Sequence, residues 1–157
     1  MTSADNPPEE EIDYRKLFEP TFHGAPIGIA HVSTEGNLIR VNPALCDMLG
    51  YEAEELMEMD VDDITHPEDQ PKERQLFTKL VEGETSEYSL RKRYIRKDMN
   101  VLWGHLSVRS VGEGEEPELL IGTVEDITDR VHAERETEKL STIVDIQRDV
   151  ALSELDL

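Results

Sequence analysis

Hydrophobic and polar positions change period several times along this chain, and each change predicts an element. GIAHVS, starting at Gly28, is a short β-type run. STEGN supplies turn residues, and LIRVN, starting at Leu38, is a second run with β-branched and polar positions alternating, so the pair reads as a hairpin. Ahead of it, Tyr14 to Phe18 predicts a short helical lead-in. After it, NPALCDMLGYEAEEL is punctuated as a helix. Asn42 caps the exposed N–H groups, Pro43 suits the first turn because its missing N–H is not needed there, and Gly50 takes the left-handed conformation that stops the helix. Glu52 to Leu56 predicts a further helical turn with acids at its positive end.

DVDDITHPED, from Asp60, is a polar loop or short helix that leads into a helix over Pro67 to Val81. Pro67 and Pro71 are tolerated only near a helix start, and Leu76, Phe77, Leu80 and Val81 recur at helical spacing before Gly83. Ser86 to Arg96 predicts a long strand with Tyr88, Leu90 and Tyr94 on one face. Lys-Asp-Met-Asn at 97–100 turns the chain. Val101 to Val111 predicts another strand, with Leu102, Leu106 and Val108 opposed to Trp103 and His105. VGEGEEPE is a loop and LLIGTVEDI a buried strand. From Thr128 to Leu155 there is neither Gly nor Pro, and Leu140, Ile143, Val144, Val150, Ala151 and Leu155 make one apolar seam of a charged helix, suited to a short coiled coil whose register Gln147 interrupts. Two strands, short helices, one longer helix and three strands make an α+β layout: a five-stranded antiparallel sheet with short helices on one face, plus a C-terminal coiled-coil-type helix. The expected division is a disordered acidic segment over 1–13, where two prolines and an acidic run offer little to bury, a domain over 14–127, and the helix over 128–157.

Composition narrows the class. The 157 residues suffice for one domain with one core. A single cysteine, Cys46, makes no internal disulfide, and neither a signal-peptide pattern nor an apolar run near the roughly 20 residues of a membrane span is present, so a reduced, cytoplasmic protein without membrane insertion is expected. Asp and Glu number 36 against 16 Lys and Arg, a formal net charge of −20. Phosphate contact needs cations, so direct nucleic-acid binding is not expected. Self-repulsion on this scale, with arginines outnumbering lysines, predicts a halophilic protein whose compact state gains from salt.

Four stretches carry a family resemblance, in order and at the right spacing over about residues 15–130. PIGIAHVSTEGNLIRVNPALCDMLGYEAEEL resembles the first half of a PAS domain, with Asn42, Pro43 and Gly50 in its motif. THPEDQ, holding His66 and Asp69, resembles the family's His-Pro-Glu-Asp turn. KRYIRKDMNVLWGHLSVRS resembles its Lys-Asp hairpin, and LLIGTVEDITDR its last strand and exit motif, Asp126, Ile127 and Thr128. Met99 stands where the family usually has Gly, which suggests a changed turn. The resemblance implies a sensory domain that binds haem, flavin, a metabolite or nothing and passes a signal to a kinase or transcription regulator. Fold does not choose among these.

Residue chemistry argues against several. A light-oxygen-voltage flavin sensor has its Asn-Cys-Arg motif in the helical segment after the one that holds Cys46. That region here reads MEMDVDDIT, and Val124 occupies the position of the last-strand Gln. Asp47 raises rather than lowers the thiol pKa. Haem needs a ligand His on the long helix, and Glu68 to Val81 has none. His31 and His105 fall on strands as inward polar groups. Asp60, Asp62, Asp63 and Asp69 lack calcium-loop spacing. His132 in VHAERE lacks the His-Glu-x-x-x-Pro pattern of a phosphoacceptor, and no nucleotide loop follows. The sequence thus requires no cofactor, specifies no metal and predicts no catalysis of its own.

The resulting expectation is a sensory module of a two-component or similar system. A cavity between sheet and helices is expected, lined by Ile29, Cys46, Leu49, Ile64, Leu76, Phe77, Leu80, Tyr94, Trp103, Leu106 and Ile121. Its partners are a small-molecule ligand, a second copy of the chain as a homodimer, and an effector kinase or transcription-regulator domain reached through the helix after Thr128. The alternative is a ligand-free dimerisation module.

Overall fold

The predicted hairpin opens the sheet: β1 (Gly28–Val32) runs antiparallel to β2 (Leu38–Val41), with Ala30 opposite Val41 and a bulge after His31. The computed structural model describes residues 13–155. The expected disordered segment, apart from Asp13, and the last two positions of the expected helix, 156–157, therefore lie outside the described residues. After the hairpin come α2 (Pro43–Leu49), α3 (Ala53–Leu56), two short 3-10 turns (Asp62–Ile64 and Pro67–Asp69), α4 (Gln70–Val81), β3 (Glu87–Ile95), β4 (Val101–Val111), β5 (Leu119–Asp126) and α5 (Thr128–Leu155). The five strands are ordered β2-β1-β5-β4-β3, antiparallel throughout. The last strand therefore sits in the middle of the sheet, between β1 and β4.

Strand period two divides the side chains between two faces. Ala30, Val32, Leu90, Lys92, Tyr94, Leu102, Leu106, Val108, Leu120 and Val124 are buried on the inner face, against Leu45, Leu49, Leu56, Ile64 and Leu80 from the helices. Gly104 belongs to this face for a steric reason: a Cβ there would lie 2.5 Å from the Tyr94 ring, which rests on the β4 backbone. Asn42 does more than cap α2. Its Oδ1 accepts from the N–H groups of Leu45 (3.1 Å) and Ile29 (2.8 Å), and its Nδ2 donates to the carbonyls of Phe22 and Ile27, both at 3.0 Å. Fully buried, it ties β1, α2 and the chain before them. Gly50 stops α2 at φ 80° as expected.

Three expectations need correction. The lead-in helix, α1, runs Arg15–Gly24 rather than stopping at Phe18, despite Pro20. Phe18 and Phe22, one helical turn apart, stack on each other and on His31, with the Arg40 guanidinium about 5 Å from both rings. Tertiary packing thus overrides the proline. As a result α1 covers the outer face of the hairpin, while α2, α3 and α4 cover the inner one. His31 and His105, expected to point inward, are on the outer face, since both alternate with buried neighbours. The turn at 97–100 keeps its left-handed residue: Met99 adopts φ 70° in place of a glycine, between hydrogen bonds from Met99 N–H to Arg96 O and from Arg96 N–H to Asn100 O.

α5 is 28 residues long, and only its first turn is built into the domain. Ile127 and Val131 are buried, and every described residue after Val131 is exposed. Leu140, Ile143, Val144, Ile146, Val150 and Leu155 are 50–80% exposed along it, Ile146 being one the sequence reading passed over.

Candidate functional site

Between the inner face of the sheet and α4 lies a cavity of about 40 Å³. Its wall is almost wholly hydrocarbon: Ala30 and Val32 of β1, Leu38 of β2, Leu45 of α2, Val61 and Ile64, Phe77 of α4, and Leu106, Val108, Leu120, Gly122 and Val124 of the central strands. Tyr88 and Tyr94 come in from β3 and Glu73 from α4. Of the cavity residues expected from sequence, Ile64, Phe77, Tyr94 and Leu106 line it. Leu49 and Leu80 are fully buried in the core without lining it, and Cys46 and Leu76 are half-buried against that core. Ile29, Trp103 and Ile121 are on the opposite face of the sheet, as strand parity with buried Ala30, Leu102 and Leu120 requires. Cys46 lies outside the cavity wall, and burial, then the carboxylates of Asp47 and Glu52, push its thiol pKa up, the reverse of what a reactive thiolate needs.

The sequence reading missed the polar side of the wall. Lys92 is 1% exposed and Glu73 3%. The Lys92 ammonium donates to Glu73 Oε2 at 2.5 Å and to Thr65 Oγ1 at 2.8 Å, and sits 4.4 Å from the centre of the Tyr94 ring. Thr65 Oγ1 in turn donates to Val61 O at 2.6 Å. Burial pulls the lysine pKa down, and the Glu73 carboxylate works against that pull. The Tyr88 and Tyr94 hydroxyls are both pushed well above the usual tyrosine range, by burial first and then by the charge of Glu73. One signal in the sequence pointed here: Lys92 alternates with Leu90 and Tyr94, and a cation on an apolar strand face needs a buried partner.

The family turn residues anchor the edge of the sheet. His66 Nδ1 accepts from Glu68 N–H at 3.2 Å, and His66 N–H donates to Arg93 O at 2.9 Å. Asp69 binds Arg93, whose guanidinium lies 5.6 Å from the Trp103 ring. The neighbouring aspartates are engaged locally: Asp60 and Asp63 accept from each other's backbone N–H, and Asp62 pairs with Arg74.

On the outer face the exit segment is latched to β4. Ile127 N–H donates to Trp103 O at 2.9 Å, Trp103 N–H donates to Thr128 Oγ1 at 3.0 Å, and Asp126 Oδ1 accepts from the Thr128 hydroxyl and N–H. The Arg135 guanidinium lies 5.0 Å from the centre of the Trp103 ring, and Arg91 pairs with Glu134 at 2.8 Å. Trp103 is thus an anchor of α5 rather than part of the cavity.

A family model for the PAS fold matches residues 38–124, more than half of the chain. The chain belongs to the PAS family. A probable diguanylate cyclase of Escherichia coli (strain K12), DgcE, is 36% identical over 133 residues, which is 84% of this chain and 12% of the cyclase. The sensor histidine kinase TmoS of Ectopseudomonas mendocina is 23% identical over 139 residues, 87% of this chain and 14% of the kinase. The PAS domain of a protein from Colwellia psychrerythraea superposes with a TM-score of 0.68 at 21% identity, covering 74% of this chain and 99% of that one. The chain therefore corresponds to a sensory domain that such signalling proteins carry, and spans a small part of its curated relatives. Among the described residues no helix is long and apolar enough to cross a membrane.

Proposed function

We propose that this chain is a cytoplasmic sensory module that takes a small ligand in the cavity and relays its presence through α5 to an effector domain, a histidine kinase or a transcription regulator. One observation carries the reading: β5 lines the cavity with Leu120, Gly122 and Val124 and runs directly into the Asp126–Thr128 latch and α5. A ligand acts on the effector only through different affinities for two arrangements of that helix. Native mass spectrometry and an absorption spectrum of gently purified protein test for a retained molecule. The relay is tested without knowing the ligand by Gly122→Ala, which adds a methyl group to the cavity wall within ordinary contact of Leu106. Amide hydrogen exchange at Ile127 and Val131 should change in that variant, and exchange identical to wild type ends the relay reading.

The exposed apolar residues of α5 favour a second reading, a ligand-free homodimerisation module in which two such helices cover each other's seams. Truncation after Arg135 keeps the contacts of Val131, Glu134 and Arg135 and removes the seam. Light scattering in molar salt should then show a dimer only for the intact chain; a monomer at high concentration ends this reading.

A further inference from the structure

We propose that the cavity selects a compact, neutral molecule, hydrocarbon over most of its surface, that carries one hydroxyl or amide N–H and donates it to Glu73 Oε1. This rests on the reading of the cavity as a ligand site and adds the chemistry of the ligand.

Size comes first. Roughly 10–15 Å³ holds one water-sized body, so a cavity of about 40 Å³ takes about three heavy atoms before its wall must move. A wall of Val, Leu, Ile and Phe side chains offers such a guest no hydrogen bonds, and an apolar cavity of this kind stays dry. The polar exceptions in the wall are Glu73, Tyr88 and Tyr94; a phenol both donates and accepts, so the Glu73 carboxylate, an acceptor alone, is the group that discriminates in favour of a donor. The bond from Lys92 Nζ ends on Oε2, which leaves Oε1 as the acceptor on a residue that lines the cavity. Lys92 itself is spent: two of its protons go to Glu73 and Thr65, and the ammonium faces the Tyr94 ring.

Charge then decides against ions. Glu73 and Lys92 form a buried pair that sums to zero. A cationic guest would find its counter-charge already neutralised and would lose its hydration for little in return. An anionic guest would meet Oε1 directly. A neutral donor loses one hydrogen bond to water and regains one to a carboxylate oxygen, a charge-assisted bond.

The test uses the whole chain, isotopically labelled, titrated by NMR with ethanol and its isomer dimethyl ether, which has the same atoms and no donor, and with acetate and ethylammonium. Ethanol should shift the amides of Leu106 and Gly122 saturably and move the Glu73 Cδ resonance. Dimethyl ether should bind at least about fivefold more weakly, the equivalent of one net hydrogen bond. Neither ion should saturate. In the double variant Glu73→Leu with Lys92→Met the preference for ethanol should vanish; if that variant does not fold, the four wild-type titrations and the Glu73 resonance decide alone. Equal binding of the two isomers, or saturable binding of acetate or ethylammonium, overturns the donor rule and leaves the ligand site standing. Silence of every cavity amide to all four probes overturns both.

Discussion

Asp69 accepts three hydrogen bonds from Arg93, one from its backbone N–H at 2.7 Å and two from its guanidinium at 2.8 and 3.1 Å. Four residues on, Glu73 binds Lys92, the neighbour of Arg93 on β3. The segment around α4 thus grips two successive residues of an edge strand, one toward the interior and one at the sheet's rim. The cavity lies behind this clamp.

Asp69→Asn removes the charge from the outer half of the clamp and is expected to destabilise the fold by about 1.5–3 kcal/mol at pH 7, the range for a hydrogen bond to a charged group. Hydrogen bonding to Arg93 lowers the Asp69 pKa below that of an ordinary aspartate. A lowered carboxylate pKa adds stability above the unfolded value, near 4, and loses it as pH falls through the folded value. Urea unfolding at a series of pH values should therefore show wild type and variant converging below about pH 4. A gap that stays constant down to pH 2 would refute this assignment.

Lys92→Met leaves Glu73 buried without its cation and should cost about 3–5 kcal/mol. Adding Glu73→Leu should restore most of that loss, because an apolar pair of similar volume removes the stranded charge. Chemical denaturation of the two single variants and the double gives the coupling directly. Additive losses would mean that the two side chains act independently.

Met99 holds φ 70° with its side chain 76% exposed, so it has strain to release and little contact to lose. Met99→Gly is expected to stabilise the protein by about 1 kcal/mol, the left-handed penalty less the added freedom of glycine in the unfolded chain. A thermal melt that falls on this substitution would show that the turn is held by something other than its backbone.

The formal charge of −20 sets a competition. Salt screens the surface ion pairs such as Arg109–Glu87 and Arg130–Glu125, which are worth little each, and also screens the repulsion among 36 acids. The second effect should win. Tm is expected to rise by about 5 °C or more between dilute buffer and molar KCl, and a flat Tm removes the salt-adapted reading.

The order and kind of the elements were legible because hydrophobic period and end signals agreed: Asn42 and Gly50 bracket α2, and Leu90, Tyr94, Leu102 and Leu106 mark the buried face of β3 and β4. The side of the sheet that holds the cavity was not legible from Ile29, Trp103 and Ile121. α1 and α5 each cover part of the outer face, so apolar residues occur at both strand parities and periodicity alone does not choose. The clamp was only half-signalled, by Lys92 between Leu90 and Tyr94, and its partners were hidden for another reason. A glutamate and a threonine at 73 and 65 look solvated until the fold brings them to Lys92. The length of α1 was misjudged because its stability comes from stacking on His31 and Arg40, contacts distant in sequence.

Val124 lines the cavity and is four residues from Thr128, with no loop between β5 and α5 in which a displacement could dissipate. Beyond Val131 the helix touches the domain only through side chains such as Glu134 and Arg135. That makes α5 a lever pivoted at the Trp103 latch. At 1.5 Å per residue, a tilt of about 5° at Thr128 carries Leu155 through about 3.5 Å. The cavity can therefore stay small and its wall nearly rigid: the arm supplies the amplitude, and a shift of a fraction of an ångström at the pivot is enough to change what meets the far end.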